Sequence, residues 1–147
     1  MITGIHHVAI STPDADRLLA FYRDVLGFEE VMDFTWPPGT NAADRITALD
    51  GSSARQIMLR KGGSCLELFQ FHAPEPGHGD PRRPVCDHGI THLCLEVDDI
   101  DAEYTRLREA GMEFHCEPQE LGPGLYTTYG RDPDGNVVEL HQFPAAA

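Results

Sequence analysis

The sequence predicts an α+β chain built from two copies of one module, each a strand, a helix and then three strands (βαβββ). Three observations carry this prediction. A strand-like segment followed by an amphipathic helix occurs twice, beginning at Gly4 and at Gly89. The glycines that close those helices lie at nearly equal distances from strand histidines, 20 residues from His7 to Gly27 and 19 from His92 to Gly111. The last segments also align, Gly63-Ser64-Cys65-Leu66-Glu67-Leu68-Phe69-Gln70 over Gly135-Asn136-Val137-Val138-Glu139-Leu140-His141-Gln142, with glycine, glutamate, leucine and glutamine coinciding at four of eight positions. The chain is read as one domain over 1–147, with module one at 3–71, a linker at 72–87 and module two at 88–143.

Gly4-Ile5-His6-His7-Val8-Ala9-Ile10 alternates around β-branched residues and reads as the first strand. Thr12 is the expected N-cap, Pro13 suits the first helical turn, and Asp14 and Asp16 favour the positive helix end. Leu18, Phe21, Tyr22 and Val25 recur at i, i+3, i+4 and i+7, one apolar stripe, and Gly27 ends it. An irregular stretch at 35–41, with Trp36-Pro37-Pro38-Gly39, is read either as the border of a binding site or as a loop that packs Trp36. A strand at 55–60 follows the Asp50-Gly51 turn, and Lys61-Gly62-Gly63 turns into the strand that carries Glu67. From 72 to 87, four prolines and two glycines argue against regular structure, hence the linker.

The second module opens with the strand Gly89-Ile90-Thr91-His92-Leu93-Cys94-Leu95-Glu96-Val97. Asp98, Asp99 and Asp101 begin a helix whose stripe is Ile100, Tyr104 and Leu107. Asp132-Pro133-Asp134-Gly135 turns into the strand that carries Glu139.

Composition bounds the function. The chain has 147 residues, enough to bury roughly 70% of the surface its unfolded form exposes, so neither disulfides nor a structural metal is needed to fold it. A net charge of −13 disfavours nucleic-acid and anionic-membrane partners. No apolar run approaches the roughly 20 residues that span a bilayer, and the first residues do not read as a signal peptide. The four cysteines, Cys65, Cys86, Cys94 and Cys116, lack a CxxC spacing and are read as buried, reduced thiols of a cytoplasmic protein.

Strand alternation decides which side chains share a face. The uniformly apolar set in each terminal strand, such as Leu66 with Leu68 or Val138 with Leu140, is expected to meet the helix. The opposite face then carries one metal-competent residue per strand: His7, Glu67, His92 and Glu139. Singly, each histidine reads as a satisfied structural residue and each glutamate as a salt-bridged edge residue. Together, two buried carboxylates at matching places require compensation, and a divalent cation supplies it. Two imidazoles and two carboxylates suit one divalent ion of zinc, nickel, cobalt, manganese or iron. His6 falls on the helix side and is taken as structural. His72, His78, His88 and His115 lie in or near loops, outside the pattern. His141 shares the face of Glu139, where it lines a pocket or supports a ligand.

In the motifs His7-Val8-Ala9-Ile10, Phe21-Tyr22-Arg23-Asp24-Val25-Leu26-Gly27-Phe28 and Asp132-Pro133-Asp134-Gly135-Asn136-Val137-Val138-Glu139-Leu140, the sequence resembles the vicinal oxygen chelate superfamily. That superfamily includes glyoxalase I, methylmalonyl-CoA epimerase, extradiol dioxygenases, and fosfomycin and bleomycin resistance proteins. The resemblance runs from Gly4 to about Gln142. It implies paired βαβββ modules that close a curved mixed sheet around a metal, with His7, Glu67, His92 and Glu139 in the ligand places. The order His, Glu, His, Glu is similar to glyoxalase I. The epimerase has glutamine at the second place, and extradiol dioxygenases have no ligand there.

The resemblance implies a metal-dependent isomerase or lyase that moves a proton through an enediolate on a small oxygenated metabolite, with Glu67 and Glu139 as the bases. The alternatives are a ferrous dioxygenase and a non-catalytic small-molecule-binding or resistance protein. Asp50 lies nearest the place of a second carboxylate in the epimerase, although an Asp-Gly surface turn is its simpler role. Arg45, Arg55 and Arg60 are candidate anion contacts. Pocket shape is expected to come from 35–41 and 121–126. Open module edges invite pairing, so a homodimer is expected, its sites completed within one chain or across two.

Overall fold

In a computed structural model, which describes residues 1–144, the chain divides into two compact units, Met1–Gly79 and Asp80–Ala147. They correspond to the two modules and are taken separately.

Module one holds β1 (His7–Ser11), α1 (Ala15–Ala20), β2 (Glu29–Trp36), α2 (Asn41–Thr47), β3 (Ser53–Lys61) and β4 (Ser64–Ala73). Its sheet has the order β1-β4-β3-β2, with β1 parallel to β4 and the other neighbours antiparallel. The helix begins on Asp14, whose carboxylate accepts from the Arg17 N–H. Thr12 lies two residues too early to cap. It is buried, and its hydroxyl instead accepts from the Asp14 N–H at 3.1 Å. After Ala20 the chain continues as a π-helical turn over Phe21–Val25, with Leu26 N–H bonded to the Phe21 carbonyl. Leu18, Phe21 and Tyr22 are buried, as the stripe predicts. They share that burial with Ile57, Leu59, Leu66 and Leu68, a layer in which each side chain contributes about 1.5–3 kcal/mol.

Two local expectations for this module are corrected, and the open choice for Trp36 falls to packing. Strand β4 continues through His72 to Ala73, because Ala54 and Ser53 supply backbone partners beyond Phe71. A short helix, α2, follows the Trp-Pro-Pro stretch, capped in the left-handed region at Ala48. Trp36 ends β2 and is buried, its indole N–H 3.2 Å from the Ser52 hydroxyl and its ring edge-on to Phe69 and Phe71.

Module two holds β5 (His92–Glu96), α3 (Ile100–Glu109), β6 (Glu113–Phe114), β7 (Gln119–Gly122), β8 (Leu125–Arg131) and β9 (Val137–Gln142). Its sheet has the order β5-β9-β8-β6, with β7 also on β8. Again the first and last strands are parallel. Where three strands follow the helix in module one, four follow here, since the counterpart of β2 is split into two short strands. The segment 121–126 is the tip of the β7–β8 hairpin rather than a free loop.

A shared device docks both helices. The Gln70 side-chain carbonyl accepts from the Ala15 N–H at 3.0 Å, and that of Gln142 accepts from the Ile100 N–H at 2.8 Å. Each glutamine lies three residues beyond the glutamate on the same strand and satisfies an otherwise orphaned N–H of the first helical residue. The glutamine match in the aligned segments is therefore a packing requirement. No described helix is long and apolar enough to cross a membrane.

Candidate metal centre

The parallel pairing of first and last strands brings one histidine and one glutamate together in each module. In module one, His7 lies opposite Cys65 and Ala9 opposite Glu67. In module two, His92 lies opposite Val137 and Cys94 opposite Glu139. The offset is identical, so each carboxylate reaches back to the histidine diagonally across the strand pair. His7 Nε2 is 3.3 Å from Glu67 Oε2, and His92 Nε2 is 3.0 Å from Glu139 Oε2. The other imidazole nitrogens have partners of their own: His7 Nδ1 lies 2.9 Å from His6 Nδ1, and His92 Nδ1 lies 2.9 Å from Thr91 Oγ1. Such contacts turn Nε2 of each ring toward the carboxylate.

Both glutamates are buried, Glu67 at 5% and Glu139 at 9% relative exposure. Each has its second oxygen held from the third strand of its sheet. The Gln56 amide donates to Glu67 Oε1. The Thr127 hydroxyl donates to Glu139 Oε1 at 2.6 Å, and His141 Nδ1 lies 3.1 Å from the same oxygen. One oxygen of each carboxylate is thus anchored and the other faces an imidazole nitrogen. This donor set, N with O in each pair and charge buried without a cationic side chain, fits a divalent ion of the borderline class.

Burial pushes the Glu139 carboxyl up, but hydrogen bonds from Thr127, His141 and Cys94 and the charge of His92 outweigh it and hold the group below its ordinary value. Partial desolvation on the sheet face, together with the Glu139 charge, pushes the Cys94 thiol up to about 11. Burial and the same carboxylate raise Tyr129 as well.

Sequence reasoning missed Gln56 and Thr127, the two anchors. Neither carries a motif, and both reach their glutamates across strands whose register is set non-locally. Cys94 was misread as a buried thiol. It is exposed, as are Cys86 and Cys116, while Cys65 is partly exposed, and all four are free. Cys94 lies on the face of the sheet away from the helix, which leaves it open. Asp50 is exposed in its turn, whose N–H groups at Gly51 and Ser52 are instead bonded by Asp44 at 3.1 and 2.7 Å. Arg55 is engaged by Asp33 and Asp16, both at 2.7 Å, so it is not available as an anion contact. Arg45 and Arg60 are exposed. His72, His78, His88 and His115 are exposed, and His115 meets the Tyr129 ring that also packs on His92.

Comparison with known proteins agrees with this fold. Residues 4–140 match the family described as the Glyoxalase/Bleomycin resistance protein/Dioxygenase superfamily. The chain is similar to a 2-epi-5-epi-valiolone epimerase of an Actinomyces species, 33% identical over 98% of this chain and 81% of the relative. It is 30% identical to an ethylmalonyl-CoA/methylmalonyl-CoA epimerase of Cereibacter sphaeroides, over 97% and 99% of the two chains. Among solved structures, a glyoxalase family protein from Bacillus cereus superimposes with a TM-score of 0.88 at 24% identity, covering 99% of this chain and 97% of that one. With two βαβββ modules, a His/Glu pair in each and a match across nearly its whole length, the chain belongs to the glyoxalase/bleomycin resistance protein/dioxygenase superfamily.

Proposed function

We propose that this protein is a metal-dependent epimerase-type isomerase, which removes a proton from a carbon beside a carbonyl and returns it to invert that centre. The observation that carries the reading is the duplicated pair: a buried glutamate with one oxygen anchored and the other facing an imidazole, once in each module. Two relatives of similar length named as epimerases support it. In each module the His/Glu pair, His7 with Glu67 and His92 with Glu139, supplies the residues that would hold a divalent ion of zinc, nickel, cobalt, manganese or iron. Such an ion, when bound, supplies positive charge that polarises the substrate carbonyl and offsets the charge developing on its oxygen.

Inversion needs a base on each side of the carbon that loses the proton. Glu67 and Glu139, one from each module, provide two carboxylates. Each has an unanchored oxygen through which it can take a C–H proton or return one. The Gln56 and Thr127 contacts hold each carboxylate through the oxygen that does not move a proton. The substrate is a small metabolite with an acidic C–H next to a ketone or thioester. A homodimer and a cytoplasmic location accompany this reading.

The test is solvent exchange. The metal-loaded protein is incubated in D₂O with methylmalonyl-CoA and, separately, with 2-epi-5-epi-valiolone, and deuterium at the carbon beside the carbonyl is followed by mass spectrometry. Incorporation with one of them, lost on chelation, is expected. Tight binding of either compound without exchange, unaffected by chelators, would overturn the reading in favour of a small-molecule-binding protein. Oxygen uptake with a catechol and ferrous ion would overturn it in favour of a dioxygenase.

A further inference from the structure

Module two carries metal-ligating groups that its counterpart lacks. Cys94 is the neighbour of Glu139 in register, the place that Ala9 takes beside Glu67. His141 lies two residues beyond Glu139, the place that Phe69 takes beyond Glu67. Alternation puts Cys94, Glu139 and His141 on one face of the β5–β9 pair. One thiol, one carboxylate oxygen and one imidazole nitrogen from these residues lie within 4.8 Å of one another. Among the described residues this is the one group of three such side chains so placed. A second observation points the same way. His141 Nε2 is buried with no hydrogen-bond partner among the described residues, so the ring keeps an unused nitrogen besides the Nδ1 that contacts Glu139. Replacing Ala9 and Phe69 by their counterparts thus converts an apolar surround into a set of S, N and O donors.

We propose that Cys94, Glu139 and His141 form a metal site contained in module two, selective for thiophilic divalent ions such as Zn²⁺ over oxygen-seeking ions such as Mg²⁺ and Mn²⁺. The selectivity follows from ligand softness: a thiolate and an imidazole favour zinc or cobalt, whereas a lone carboxylate does not hold magnesium without further oxygen ligands. Coordination takes the thiol as thiolate, and its proton leaves to solvent. The remaining position of a tetrahedral ion is left for water or for His92, whose Nε2 is 3.0 Å from the other oxygen of Glu139. This site is independent of the proposed function except that both use Glu139 and, where it fills the fourth position, His92. An ion held by Cys94 therefore competes with the epimerase centre for that carboxylate and inhibits it.

Cobalt reports the thiolate directly. Titration of the metal-free full-length protein with Co²⁺ is expected to produce a near-ultraviolet thiolate-to-cobalt charge-transfer band, displaced by Zn²⁺ and not by Mg²⁺. Cys94→Ser should abolish the band, and His141→Ala should weaken Co²⁺ binding by about tenfold or more. The double variant His7→Ala/Glu67→Gln should keep it, as should the triple variant Cys65→Ser/Cys86→Ser/Cys116→Ser. No band in the wild type, or a band that survives Cys94→Ser, would overturn the proposal. A band lost with the module-one pair would also overturn it, because the site would then need that module. Failure of the epimerase reading shows separately, as a lack of deuterium exchange with the cobalt band intact. Circular dichroism of each variant confirms folding.

Discussion

The two modules share a frame and differ in what surrounds the same two catalytic candidates. In each, the first and last strands are parallel with the histidine offset from its glutamate by the same register. In each, a glutamine three residues beyond the glutamate on the last strand accepts from the first helical N–H. Around Glu67 the frame presents Ala9, Met58 and Phe69. Around Glu139 it presents Cys94, Tyr129 and His141 at the corresponding places. Duplication preserved what the sheet needs in order to hold a carboxylate near an imidazole. The residues that tune that carboxylate differ, polar in module two where their counterparts in module one are apolar.

The strongest way to break the comparison is to remove the ionisable oxygens. Glu67→Gln and Glu139→Gln should each lower turnover by about 10²–10⁴-fold in the exchange assay, the range of positioned acid–base catalysis. Equal losses would mark the modules as equivalent partners in proton transfer; near-normal turnover in both variants would remove the glutamates from the mechanism.

The paired turns give the next largest contrast. Gly135 has φ +88°, and a Cβ there would lie 2.0 Å from the Pro81 carbonyl oxygen. At the aligned Gly63, a Cβ would meet nothing within 4 Å, and its φ is ordinary. Gly135→Ala should destabilise by about 2–4 kcal/mol, and Gly63→Ala by well under about 1 kcal/mol, read by chemical denaturation. Similar costs would mean that the turns are not distinguished by the close approach of Pro81.

The capping glutamines sharpen the frame itself. Gln70→Ala and Gln142→Ala should each cost about 1 kcal/mol, since each leaves one helix N–H without its acceptor. A clear inequality would show that one helix finds a substitute.

The smallest effect concerns acid stability. The Glu139 carboxyl is held below its ordinary value, so the ionised group stabilises the folded state above the ordinary carboxylate range, and that contribution is lost as pH falls through the lowered value. Thr127→Val removes one of the hydrogen bonds that lower it. The variant should lose about 0.5–1.5 kcal/mol at neutral pH and show its acid unfolding shifted to higher pH, measured by fluorescence in the absence of metal.

Much of the fold was legible because its signals are local. Alternation assigned Leu66 and Leu68 or Val138 and Leu140 to the helix side, and all four are buried. The i, i+3, i+4 stripe of Leu18, Phe21 and Tyr22 did the same for the first helix. The candidate ligands were legible because a repeat places His7 with His92 and Glu67 with Glu139, and two unpaired carboxylates facing inward demand a counter-charge. Local signals failed where the choice was between near neighbours. Thr12 and Asp14 are both good caps, and the hydrogen bond to Arg17 decided for Asp14. The composition at 72–87 suggested a linker, but backbone pairing with β3 carried β4 through His72.

By itself, then, the sequence determined the duplicated βαβββ plan, the buried faces and the four residue types able to ligate a divalent ion. All of these follow from periodicities of 2 and 3.6 and from the cost of burying charge. Only the tertiary structure decided which oxygen of each glutamate is anchored, that Gln56 and Thr127 anchor them, and that Cys94 and His141 converge on Glu139 while Ala9 and Phe69 occupy the matching places. Those facts depend on the register between strands far apart in the chain, where a slip of one residue turns every side chain to the other face.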